Sequence, residues 1–184
     1  MYLTDVERIV ADPISWIHSS WAQAPASCTT GIARGIINKI VVRQFSLDDA
    51  ATLVTDCGST PMIIDHWYML REAVWYMACQ RYRQQLRQSE ARLLLCARAR
   101  SFMRIEIVPP LFCDSEAIDT PLLWQLAWAE LCPLFSSLPD GVVKRIRLLF
   151  PQQMDASCRG MVRDFDSMLF LMAIQHARKY PTTV

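Results

Sequence analysis

The run from Asp65 to Arg104 contains neither proline nor glycine, and apolar and arginine side chains alternate through it at helical spacing. Trp67, Leu70, Val74, Met77 and Ala78 recur three or four positions apart, so one stripe of a helix there is apolar and must be buried. The pattern predicts a helical hairpin. Asp65 is the expected cap of its first helix. Ser89 is the expected start of the second, with Glu90 suiting the positive end of the helix. Leu93, Leu94, Ala97 and Met103 would be its buried residues.

The flanking segments repeat the helical pattern between clear breaks. Leu3, Val6, Ile9 and Val10 mark a helix that Asp12-Pro13 ends, because proline excludes helix from the residue before it. Pro13 suits a first helical position, and Trp16, Ile17 and Trp21 form an aromatic cluster read as core. Ala22 to Gly31 is small and proline-bearing and reads as a loop before a helix from Ile32 to Val42, with Ile36, Ile37, Ile40 and Val41 as its apolar face. Gln44 to Asp48 pairs two apolar anchors with a cap-like Ser and Asp, and a short connection or helix follows. Thr55 to Pro61 is turn chemistry.

Beyond Arg104, Ile105 to Val108 reads as a short strand or a helix end, which Pro109-Pro110 stops. Thr120-Pro121 opens a helix to Leu131, with Leu123, Trp124, Ala127, Trp128 and Leu131 on one face. Val142 to Phe150 fits a strand or a helix, and helix is favoured. Met154 to Lys179 reads as an amphipathic helix, with Asp155 and Ser157 near its start and Met161, Phe165, Met168, Leu169 and Met172 inward. The expected fold is all-α, a single helical domain over residues 1–184 with at most a short β element.

Composition agrees with a packed globule. Of the 184 residues, 52% are hydrophobic, 20% are charged and five are glycine, a balance unlike that of disordered chains. No window approaches the roughly 18 to 20 uncharged apolar residues that span a bilayer. Asp5 and Glu7 in the first ten residues are wrong for a secretory signal, so the chain is expected in the cytosol. The seven cysteines are scattered without zinc or redox spacing, and read as reduced core residues.

Catalytic signatures are missing from the sequence: no glycine-rich phosphate loop, no helix-borne zinc motif and no serine elbow. His18, His66 and His176 are scattered, and Asp164 and Asp166 diverge if both lie on a helix. No catalytic residue, metal ligand or cofactor is expected. Charge placement says more. From Arg71 to Arg104, eight arginines stand against Glu72 and Glu90 alone. From Ile105 to Val143 stand Glu106, Asp114, Glu116, Asp119, Glu130 and Asp140 and no base. Either the two runs compensate each other within the fold, or the arginines dock an acidic partner through bidentate contacts with carboxylates. Arg81, Arg83 and Arg87, at the polar end of the first hairpin helix, are the candidate docking charges. A nucleic-acid-binding helical module using the same hairpin is the alternative, although a net charge of +1 is far from the basic balance of such binders.

Several phrases together resemble the SctK family of type III secretion injectisome accessory proteins, known as YscK, PscK, OrgA and MxiK. They are Ala11-Asp12-Pro13-Ile14-Ser15-Trp16-Ile17-His18, the helix Ile36 to Asp48 ending Gln44-Phe45-Ser46-Leu47-Asp48, the hairpin Trp67 to Arg104, and Lys144-Arg145-Ile146-Arg147-Leu148-Leu149-Phe150-Pro151. The likeness spans most of residues 9–180. It implies a helical, non-enzymatic adaptor of the cytosolic sorting platform, peripheral to the inner membrane. Such an adaptor joins the cytoplasmic domain of the ring protein SctD to the pod protein SctQ, and through them reaches SctL and the SctN ATPase.

Overall fold

The computed structural model describes residues 4–28, 30–48, 53, 58–115, 117–156 and 164–179. Ten α-helices run through the described residues: α1 (Asp5–Ala11), α2 (Gly31–Gln44), α3 (Thr60–Asp65), α4 (Leu70–Arg81), α5 (Arg83–Gln88), α6 (Ala91–Leu94), α7 (Ala97–Phe102), α8 (Thr120–Leu131), α9 (Asp140–Leu149) and α10 (Ser167–Lys179). No strand occurs among the described residues: Ile105 to Val108 is irregular chain beyond α7, neither strand nor helix, and Val142 to Leu149 lies in α9. The chain is all-α. It clusters into two compact units, Met1–Tyr68 with Leu134–Asp155, and Met69–Pro133 with Ala156–Val184.

The first unit is built on local caps and one polar knot. Thr4 and Glu7 form a reciprocal capping box at the start of α1, which satisfies two amides that the helix leaves without partners. Asp12 closes α1 at the expected place. Its carboxylate accepts both Arg34 Nε and Nη2 at 2.8 Å and Asn38 Nδ2 at 2.8 Å, while Asn38 Oδ1 accepts the Ile14 amide at 3.1 Å. The knot ties α2 to the end of α1. Trp16 is core, as expected: its indole donates to Ile9 O at 3.0 Å and meets Trp67 edge-on at 5.4 Å.

Two polar choices complete this unit. α2 ends with Ser46 in the left-handed region, φ 51°, so that the Leu47 amide reaches back to Val42 O at 2.9 Å and buries Leu47; this is the Schellman closure. On α9 the buried Arg145 donates to Gly141 O at 2.9 Å and to Leu47 O. One guanidinium thus joins α9 to the turn after α2.

In the second unit α4 is the central rod, packed by α8, α10 and α7. Leu70, Ala73, Val74, Met77, Ala78 and Cys79 are fully enclosed, which matches the expected stripe. α8 starts as expected, with the Asp119 carboxylate accepting the Leu122 amide at 2.8 Å and Pro121 in the first turn. Leu123, Leu126, Ala127, Trp128 and Leu131 are buried, and Trp124 instead stacks on Trp75 at 4.4 Å.

The expected two-helix hairpin is a chain of four shorter helices. Asp65 ends α3 and does not cap α4; the backbone leaves helix at Tyr82, Ser89 and Cys96. Ser89 turns its hydroxyl back onto Leu86 O at 3.3 Å. Leu93 and Ala97 are exposed, Met103 is buried as expected, and the side chain of Leu94 lies outside the described set. The reason is a buried amide that periodicity does not register: Gln80 of α4 donates to Phe102 O at 2.9 Å and to Ile105 O. It holds the end of α7, where helix carbonyls lack partners.

α10 is shorter than expected. Asp166 is its cap, accepting the Leu169 amide at 2.9 Å, and the buried stripe is Leu169, Phe170, Ala173, Ile174 and Ala177, with Met168 exposed. The expected Met161 and Ser157 lie outside the described residues. Cys28 and Cys113 are free and half-buried. Cys79 is a free, buried thiol as expected, whereas Cys96 is exposed and its sulfur accepts the Ala99 amide at 3.4 Å.

Candidate partner-docking surface

The eight arginines of residues 71–104 divide into two sets by what lies beside them. Arg81 is an internal group: only 13% of its side chain is exposed, with Glu130 at 3.2 Å and Asp166 at 3.0 Å. Arg83 is 5% exposed and folds back to donate to Gln80 O at 2.8 Å, occupying a carbonyl at the end of α4. Arg98 pairs with Glu72 at 3.2 Å. Arg71 lies over the Trp124 ring at 5.6 Å, and burial lowers its pKa from the ordinary arginine value.

The other set is gathered by the breaks in the hairpin. Arg87 at the end of α5, Arg92 on α6, Arg100 on α7 and Arg104 just beyond it line a hollow of about 380 Å³ with Met103. All four are exposed, and no carboxylate among the described residues forms an ion pair with any of them. Arg87 Nη2 donates to Met103 O at 3.3 Å. A straight two-helix hairpin would spread these positions along its length; short helices turning at Ser89 and Cys96 bring them to one rim.

Of the three arginines singled out in the sequence, the structure places Arg87 at the hollow and engages Arg81 and Arg83 internally. Arg92, Arg100 and Arg104 were legible as members of the basic run, though nothing in their spacing marked them as neighbours. The acidic run is split too. Glu130 pairs with Arg81 and Asp119 caps α8, so both are spent within the unit.

What the hollow supplies is a set of guanidinium forks around Met103. Arginine is weakly hydrated and presents planar donors, so such a rim suits the carboxylates of a protein surface and takes bidentate geometry. No helix of the described residues is long and apolar enough to cross a membrane.

Comparison with known proteins shows the family of the chain. The curated relatives found include the oxygen-regulated invasion protein OrgA of Salmonella typhimurium strains 14028s, SL1344 and LT2, each 26% identical over 179 residues, covering 97% of this chain and 89% of the relative. No solved structure matches. The sequence profile of the bacterial type III secretion apparatus protein family OrgA/MxiK matches residues 6–179. The chain belongs to the OrgA/MxiK family of type III secretion apparatus proteins.

Proposed function

We infer that this protein is a non-enzymatic adaptor of the cytosolic sorting platform, joining the cytoplasmic domain of the ring protein SctD to the pod protein SctQ at the inner membrane. The observation that carries the reading is the hollow ringed by Arg87, Arg92, Arg100 and Arg104, unmatched by carboxylate among the described residues, in a family of secretion apparatus components. An adaptor needs one surface per partner. Charge selects the partner and speeds encounter, while buried apolar contact gives most of the affinity.

The test replaces Arg92, Arg100 and Arg104 by Glu. All three are exposed and make no ion pair among the described residues, so melting should shift by no more than a degree or two. Capture of the purified SctD cytoplasmic domain or of SctQ should fall by about tenfold or more. Undiminished capture of both would overturn the assignment. The same guanidiniums suit phosphate, so the wild-type chain is also titrated with duplex DNA and RNA. A steep loss of binding with salt, joined to no capture of ring or pod protein, would replace the adaptor by a nucleic-acid-binding module.

A further inference from the structure

α2 is apolar on both sides, and its outward side is the unexplained one. The spacing predicts Ile36, Ile37, Ile40 and Val41 as its apolar face; the fold buries Asn38 and Val41 and turns Ile36 and Ile40 out. Ile32, Ile36 and Ile40 are 86%, 55% and 55% exposed. At i, i+4 and i+8 they form a ridge about 12 Å long. Lys39 and Arg43 share its azimuth, both exposed, and α2 carries no acidic residue.

Beside the ridge runs a groove of about 540 Å³ lined by Val10, Ala11, Gly35, Val42 and Lys39, with Asp48 on its wall. Gly35 sits inside α2, where glycine costs about 1 kcal/mol relative to alanine. Its own fold does not require it: an added Cβ there meets nothing within 4 Å. A glycine on an exposed helix face lets another backbone come close. Ridge, groove and glycine together have the relief into which a second helix packs.

We propose that the outward face of α2 seats an amphipathic helix of a protein partner, apolar at i and i+4 and acidic on its flanks. Charge decides against a second copy of this chain, since α2 against α2 would oppose Lys39 and Arg43 to their own kind. An anionic membrane would be met by few cations and by none of the aromatic side chains that anchor interfacial helices. The face is distinct from the arginine hollow, and the proposal rests on the adaptor reading for there being an apparatus protein to bind.

The experiment places the photo-crosslinker p-benzoylphenylalanine at Ile36, and separately at Arg104, of the full chain expressed with its secretion apparatus. Crosslinked peptides are then sequenced. The expected product at position 36 is an acidic amphipathic segment of another apparatus protein, reduced about tenfold by Lys39→Glu with Arg43→Glu. Gly35→Ala should raise the melting temperature of the free chain and lower the same crosslink; a purely structural glycine would give no loss of crosslink. Products with lipid, with a copy of this chain or with a segment lacking acidic residues would overturn the proposal. So would no product at 36. If position 104 still captures an apparatus protein, the adaptor reading survives that failure; if neither position does, both fall.

Discussion

Asp12 shows how much one side chain carries. Its carboxylate receives a bidentate guanidinium and an amide, and the Arg34 hydrogen bonds hold its pKa below the ordinary 3.8. A folded-state value below the unfolded one adds stability that is complete above the unfolded pKa and is lost as pH falls through the folded value. Denaturant titrations should therefore show wild-type stability dropping below about pH 4 more steeply than that of Asp12→Asn. The two curves should converge at the acid end. Arg81 offers the opposite lesson, since a basic residue at a polar helix end looks like surface until Glu130 and Asp166 are seen beside it. Arg81→Met strands two poorly exposed carboxylates, and should cost about 2 to 3 kcal/mol in urea unfolding. Charge reversal at all of Arg81, Arg83 and Arg87 would for that reason report on folding before it reported on docking. Arg83 was legible as a base but not as a helix-end donor, because its partner, Gln80 O, is a backbone atom that no composition records.

Among the elements, those with strong local signals appear where the sequence placed them. α8 begins at Thr120 because Asp119 and Pro121 supply a cap and a fixed first φ, and Asp119→Ala should lower stability by about 1 kcal/mol with α8 shortened at its start, read by amide exchange at Leu122 and Leu123. α9, which the sequence left between strand and helix, is a helix that buries Val142, Ile146, Leu148 and Leu149. Helices without such punctuation went differently. The Asp65 to Arg104 run has apolar residues at helical spacing throughout, yet local period is indifferent to whether a helix continues or restarts. Gln80 reaching Phe102 O, and Gln85 clasping Cys113 through N–H···O bonds of 2.8 and 3.0 Å, bind the chain's turns to α4 and α5 over more than twenty residues. α2 is the sharper case. Its spacing points to Ile36, Ile37, Ile40 and Val41 as the inward side, but the Asp12 knot with Arg34 and Asn38 sets the helix differently and leaves three isoleucines outward.

For the molecule as a whole, two candidate surfaces fall in two units: the arginine hollow in one, the α2 ridge in the other. If both bind protein, they should answer to salt differently. Capture through Arg87, Arg92, Arg100 and Arg104 should weaken as ionic strength rises, since screening acts on exposed charges. Contact through Ile32, Ile36 and Ile40 should weaken less, because apolar burial supplies most of it and only Lys39 and Arg43 beside the ridge are screened. Titrating each partner between low and physiological salt checks this, and equal slopes for both would contradict the division.

Helical class, proline-marked boundaries, the buried stripe of α4 and membership in a secretion apparatus family all lay open in the linear chain, because periodicity, caps and ordered phrases are short-range properties. Which arginines meet carboxylates and which stand at a rim, and which side of α2 faces water, were decided only in three dimensions. Those outcomes depend on hydrogen bonds and ion pairs between residues far apart in the chain, and a residue's type states what it can bond with but not what the fold will set beside it.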